Sequence, residues 1–329
     1  MSALAPTLET FFCDRLGNQR DASPHTIAAY RDTFRLLLTF VHQRTGVTPS
    51  KLSFADLDAA CVGAFLEHLE QARGNSARTR NVRLAAIHAF FRFAAFRHPE
   101  HAALIGRVLA IPPKRVERAL VTFLSRAELE ALLAAPDRAT TSGRRDHVLL
   151  LLAAQTGLRL SELTGLTCGD LQLGVGAHVR CVGKGRKERV TPLTRPTVAV
   201  LRVWLAERDG RPGDPLFPGR AGGRLSPDAV QRLVAKYADV ASGRCPSLRG
   251  RRITPHVLRH TSAMALLGGG VDTTVIALWL GHESSRTTQI YLHADLSLKE
   301  RALARAAPPH TQPGRYRPPD TLLGFLETL

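Results

Sequence analysis

The sequence predicts a mainly α-helical protein with one small β-sheet, divided into an N-terminal helical bundle and a larger C-terminal α+β domain. Three observations predict it. Across residues 1–106 apolar side chains recur at helical spacing, with little strand signal. Pro112-Pro113 then interrupts helix inside a basic stretch, and Ser125 with Glu128 forms a capping box that opens a new domain. Beyond it, helices alternate with a single β-rich stretch, Leu171 to Leu193, broken by Gly174, Gly176, Gly183 and Gly185. A chain of 329 residues has room for two such domains, each with its own core.

Taken in order, the elements have local reasons. Ser23-Pro24 supplies an N-cap with proline at the first helical position, and Ile27, Tyr30, Phe34, Leu37, Leu38 and Val41 follow as an apolar stripe. A helix fits Phe54 to Leu69, with Leu57, Cys61, Phe65 and Leu69 on one face. Another fits Ser76 to Phe96, with Leu84, Ile87, Phe91 and Ala95 inward. Its opening turns carry Arg78, Arg80 and Arg83, which are either a solvated face or, on a nucleic-acid-binding bundle, a phosphate-contacting one. The organisation expected is a helical domain over 1–106, a linker over 107–122 carrying Lys114 and Arg115, and a second domain over 123–309. A proline-rich tail over 310–329 ends in a short amphipathic helix with Leu322, Leu323, Phe325, Leu326 and Leu329.

Charge narrows the class of partner. The chain holds 45 basic and 28 acidic residues, net +17, which favours a polyanion such as nucleic acid. The excess is uneven: residues 1–106 carry 12 Lys/Arg against 9 Asp/Glu, and residues 107–329 carry 33 against 19. A basic loop over Ser242–Arg252 with Arg244, Arg249, Arg251 and Arg252 adds to the second region. Cys13, Cys61, Cys168, Cys181 and Cys245 are widely spaced, odd in number and never form CxxC. That argues against a disulfide framework or a zinc site and for a reducing, cytoplasmic setting. No apolar run approaches a membrane span and the N-terminus has no signal-peptide pattern, so no membrane partner is expected.

The candidate site is a set of scattered basic residues ending in a tyrosine: Arg159 in TGLRLSEL, Lys184 in VGKGRKER, His256 and Arg259 in TPHVLRHT, His282 in LGHES and Tyr291 in TQIYLHAD. Cationic and hydrogen-bonding side chains are what a phosphodiester under displacement requires, and a tyrosine hydroxyl is a competent covalent nucleophile. Thr254 caps and Pro255 opens a helix, placing His256 in the first turn, three residues before Arg259 on the same face. The positive helix end favours phosphate there and lowers the imidazole pKa. His256 and His260 have the spacing of a metal-binding HExxH helix, but Val257 stands where that pattern needs glutamate, so no metal is assigned. Lys184 lies on a glycine-flanked hairpin turn, where taken alone a solvated lysine is the favoured reading and only the rest of the set raises it; Arg186 and Lys187 flank it as DNA-contact candidates. Arg159 ends a buried apolar run, and Glu162 three residues on is its candidate internal partner. Asp272 caps a helix that Gly281 stops, leaving His282 at the junction. Taken alone, Tyr291 reads more readily as a packed aromatic than as a nucleophile.

With these residues in this order, the chain resembles the tyrosine recombinase (phage-integrase-like) family over nearly its whole length. TGLRxSEL, HxLRH and LGH with a tyrosine nine positions later carry the likeness jointly. The resemblance implies a SAM-like core-binding domain followed by a catalytic domain that clamp double-stranded DNA. It implies that Tyr291 attacks the scissile phosphate to give a 3′-phosphotyrosyl link, that Arg159 and Arg259 hold the non-bridging oxygens, and that His256 assists proton transfer at the tyrosine. It further implies that Lys184 protonates the leaving 5′-oxygen and that His282 adds a hydrogen bond to the phosphate. No metal, nucleotide or other cofactor is implied. A tetramer on two duplexes is, with a C-terminal helix docking on a neighbouring protomer and accessory or sister recombinases as further partners. The expected setting is the cytoplasm, at the nucleoid. Integrase or transposase of a mobile element is the reading favoured by the basic loop and the tail. Dimer-resolving recombinases of replicons or chromosomes, a type IB topoisomerase-like enzyme and a non-catalytic DNA-binding regulator are the alternatives.

Overall fold

Capping chemistry places the N-terminal helices. Helix α1, Leu4–Thr10, runs into a π-helical stretch, Phe11–Gln19. Ser23 accepts from the Thr26 amide, and α2 spans Pro24–Thr45 until Gly46 turns left-handed at φ 72°. The expected helix over Phe54–Leu69 is two elements: a short 3-10 turn, Phe54–Leu57, and α3, Ala59–Gln71. Asp58 divides them because its carboxylate caps α3 through the Cys61 amide and its extended backbone cannot continue a helix. Ser76 caps α4, Ala77–Ala95, and α5 spans Ala102–Leu109.

The computed structural model describes residues 3–116, 121–183, 188–281, 288, 290 and 291. The chain divides into two units, Met1–Arg118 and Ala119–Leu329. In the first, Phe11, Phe34, Phe54, Phe90 and Phe91 form the centre of the core. Phe34 meets Phe90 edge-to-face at 5.2 Å and Phe11 meets it at 5.6 Å, the arrangement that ring quadrupoles favour. The chain past α5 stays fastened to this unit: Asn81 Nδ2 donates to the Lys114 carbonyl (2.7 Å), and the Lys114 amide donates back to Asn81 Oδ1 (2.9 Å).

In the second unit the Ser125–Glu128 capping box opens α6, Arg126–Leu133, as the sequence predicts. Helix α7, Thr141–Thr156, is the central core helix, packed against α9, Arg195–Arg208, and α11, Pro255–Gly268. Between α7 and α9 come α8, Leu160–Gly165, and an antiparallel sheet of β1 Leu171–Gln172, β2 His178–Val182 and β3 Glu188–Pro192, in the order β1-β2-β3. Val179 pairs with Thr191 and Cys181 with Arg189, so this face turns inward while Val182 and Val190 face solvent. Helix α10, Pro227–Ser242, completes the core with Val230, Val234 and the buried Tyr237, whose hydroxyl donates to Asp146 (2.9 Å). Helix α12 spans Thr273–Leu280. The mainly helical architecture with one small sheet is the one the sequence predicts. Among the described residues no helix is long and apolar enough to cross a membrane.

Candidate active site

Two helix ends and one strand assemble the site. Helix α7 stops because Gly157 adopts φ 62°, and a Cβ there would lie 2.6 Å from Leu280 Cδ2, so only glycine fits. Arg159 follows as the N-cap of α8, its amide bonded to Glu162 Oε2 at 2.7 Å. Helix α12 stops at Gly281, φ 65°, where a Cβ would collide with the Arg189 guanidinium. These close approaches bring the Gly157, Leu280 and Gly281 carbonyls at the two helix C-termini against the arginines.

Arg259 is 4% exposed and donates to Gly157 O (2.6 Å) and Leu280 O (2.7 Å). Arg159 donates to Gly281 O (2.6 Å) and to Glu162 Oε1 (2.8 Å). Arg189 donates to Glu162 Oε2 (2.8 Å) and Leu280 O (3.0 Å). One buried carboxylate and three carbonyls thus orient three guanidinium groups, and the four side chains keep a net charge of two positives. Burial and the neighbouring Arg159 push Arg259 down to about 10, so it stays charged at neutral pH but incompletely solvated. An anion entering beside it supplies the interaction that burial removed.

The α11 start is as the sequence predicts: Thr254 accepts from the Val257 amide, Pro255 is first, and His256 sits in the opening turn. Arg159, His256 and Arg259 line one cavity of about 450 Å³, with Leu158, Leu160, Gln231, Thr254 and Pro255 as the other described lining residues. The His256 imidazole is held below its ordinary range, first by the protein packed around it and then by the Arg259 charge. The direction agrees with the expectation, but the causes are burial and the Arg259 charge, not the helix end.

Tyr291 is 1% exposed, packed among Ala263, Met264, Leu267, Ile276 and Leu280, and its hydroxyl lies 3.0 Å from His260 Nδ1. The His260 ring in turn meets the His256 ring edge-to-face at 4.1 Å. Burial raises the Tyr291 pKa, partly offset by Arg259. Tyr291 is not among the described residues that line the cavity; its hydroxyl is linked to the lining His256 through the His260 ring. Lys184, Arg186, Lys187 and His282 lie outside the described residues, as does the C-terminal helix over 321–329.

Three of the expected DNA-contact arginines have other work. Arg80 is 8% exposed, donates to Pro112 O (3.4 Å) and lies 3.5 Å from Glu70, strapping the chain past α5 to α4. Arg83 reaches across to α2, donating to Ala29 O (2.9 Å) and Thr33 Oγ1 (3.0 Å). Arg251 is clamped by Glu128 Oε1 (2.5 Å) and Phe123 O (2.8 Å). Each is half-buried or deeper, and internal partners take it up because an unpaired buried guanidinium is costly. Arg78, Arg115, Arg244, Arg249 and Arg252 are exposed, and Lys114 is exposed while paired with Glu70 (2.8 Å).

Sequence reading missed two residues of the site. Arg189 was legible from strand alternation, since it shares a face with the buried Thr191 two residues on. His260 stood out only as a metal-ligand candidate, and its contact with Tyr291 spans 31 residues.

The chain matches the model of the phage integrase family over residues 122–297 and that of the phage integrase N-terminal SAM-like domain over 10–98. It is 58% identical over 328 residues to a protein of Sinorhizobium fredii (strain NBRC 101917 / NGR234) named as an integrase/recombinase, y4rC, covering 100% of this chain and 99% of that one. It is 35% identical to the tyrosine recombinase XerC of Pelobacter propionicus, over 85% of this chain and 88% of that protein. Among solved structures, the XerH site-specific recombinase bound to its palindromic difH substrate aligns with a TM-score of 0.68 at 25% identity, over 87% of this chain and 82% of that one. The Tn1549 transposon integrase shares the fold at 18% identity, with a TM-score of 0.67 over 91% and 99% of the two chains. From the matched domains, the full-length relative and the arginine site, we conclude that this chain belongs to the phage integrase family of tyrosine recombinases, enzymes that cut and rejoin DNA strands.

Proposed function

We propose that this chain is a site-specific recombinase of a mobile element, an integrase or transposase, acting through a covalent tyrosyl intermediate. The Tyr291 oxygen attacks the scissile phosphorus and the bond to the 5′-oxygen breaks. This leaves a 3′-phosphotyrosyl link and a 5′-oxygen that takes a proton from Lys184. Reversal by the 5′-hydroxyl of a second strand rejoins DNA, so the bond energy is conserved and no cofactor is consumed. Arg159 and Arg259 hold the non-bridging oxygens, His256 serves proton transfer at the phenol, and His282 adds a hydrogen bond. The observation that carries this reading is the trio of carbonyl-oriented arginines beside His256, an anion site preset for charge that builds during displacement. The mobile-element role rests on full-length similarity to a protein named as an integrase/recombinase.

The partner is double-stranded DNA, gripped by both units and synapsed as a tetramer in the cytoplasm at the nucleoid. The helical unit 1–106 binds DNA, 107–122 links it to the catalytic unit 123–309, and the tail 310–329 docks on a neighbouring protomer. Arg78, Lys114, Arg115, Arg186, Lys187, Arg244, Arg249 and Arg252 are the candidate phosphate contacts. The decisive experiment uses a nicked duplex carrying this element's end sequence. The wild-type chain forms a covalent protein–DNA adduct and Tyr291→Phe forms none; an adduct from the Phe variant overturns the assignment.

A further inference from the structure

The Tyr291–His260 contact has a chemical role that the arginine site does not fill. His260 follows Arg259 on α11, the helix whose Ala263, Met264 and Leu267 also pack around Tyr291. Its imidazole is pushed down to about 4, by burial first and by His256 and Arg259 after it. At neutral pH it is therefore uncharged, and Tyr291, with its pKa raised, keeps its proton. Between a neutral imidazole and a phenol, the O–H is the better donor and the ring nitrogen the better acceptor, so Tyr291 donates to Nδ1 and the ring proton sits on Nε2. Proton transfer across this bond is uphill, because burial raises the phenol's pKa and lowers that of the imidazole. His260 thus holds the hydroxyl without activating it.

We propose that His260 is a positioning residue that latches the nucleophile: its Nδ1 holds the Tyr291 hydroxyl outside the lining of the arginine cavity, and the bond must break before the phenol enters that cavity. The proposal rests on Tyr291 being the nucleophile. The latch has the right strength for a gate. A single neutral hydrogen bond is worth about 1 kcal/mol net, equivalent to about a fivefold change in the ratio of docked to released phenol. Attack then waits on a small rearrangement and the closed phenol is kept from water between reactions.

The test reads the phenol directly. DNA-free protein is treated with tetranitromethane, and nitration of the Tyr291 peptide is followed by mass spectrometry. His260→Leu fills the space without an acceptor, His260→Ala empties it, and His260→Asn restores an acceptor oxygen near the Nδ1 position. We expect Tyr291 to react about fivefold faster in both acceptor-free variants and at the wild-type rate in His260→Asn, a rescue that a purely structural role would not give. Melting temperatures, taken alongside, confirm that the compared variants are folded at the assay temperature. Equal nitration in wild type and the acceptor-free variants, or an Asn variant as reactive as the Leu one, overturns the latch. Because this readout needs no DNA, its failure is separate from failure of the Tyr291→Phe adduct test, which bears on the nucleophile assignment alone.

Discussion

Glu162 is the keystone of the arginine site, and Glu162→Gln measures how much. The side chain is 2% exposed and bonds Arg159 and Arg189, whose side chains are 31% and 12% exposed. Glutamine keeps the shape and one acceptor oxygen but removes the one carboxylate that, among the described residues, pairs with this arginine cluster. Breaking a fully buried ion pair by deleting one partner costs about 3–5 kcal/mol. Solvent reaches part of Arg159, so the lower end applies, about 3 kcal/mol. For a unit of roughly 200 residues, each kcal/mol moves the melting temperature by about 2–4 °C, giving a fall of about 6–12 °C. Duplex DNA supplies the missing negative charge, so saturating DNA narrows the deficit, a distinction that generic core damage would not show. The assay is thermal unfolding of the two proteins with and without DNA. A fall of less than about 2 °C without DNA, or a deficit unchanged by DNA, refutes the claim that Glu162 neutralises and orients the cluster.

Two further outcomes follow from the structure. His260 has a depressed folded-state pKa of about 4, so below about pH 6.5 the unfolded chain takes up a proton that the folded protein refuses. Stability present above that pH is lost as pH falls toward about 4, by up to about 3 kcal/mol from this residue; His88, His147 and His256 shift in the same direction. Urea unfolding at about pH 7 and about pH 4.5 should show a smaller loss in His260→Asn than in wild type, and identical losses would count against the buried neutral imidazole. Arg78→Ala should lower the slope of log affinity against log salt by about one without changing melting, whereas Arg80→Ala should lower the melting temperature because Arg80 straps Pro112 and Glu70. The reverse pattern would put Arg80 on the DNA.

Local chemistry was readable along the chain. The caps at Ser23, Ser76, Ser125, Thr254 and Asp272, the stops at Gly157 and Gly281, and the hairpin of β2 and β3 each depend on residues a few positions apart. Those signals delivered the helical bundle, the small sheet, the first-turn position of His256 and the pairing of Arg159 with Glu162. Asp58 marks the edge of that legibility: periodicity carried a helix through it, and a side-chain cap divided the helix in two.

What the linear order left open were competitions between distant groups. Arg80, Arg83 and Arg251 look like any basic surface residues until carbonyls and carboxylates from other segments come within reach, some of them more than 100 residues away. The same holds for Arg189 beside Glu162 and His260 beside Tyr291. The sequence alone determined which chemistry this protein carries, because residue types and their order supply the cations, the imidazoles and the phenol. Only the tertiary structure decided which cation faces the cavity, which is spent on the fold and where the phenol rests, because burial and hydrogen bonding are set by neighbours that the chain brings together only on folding.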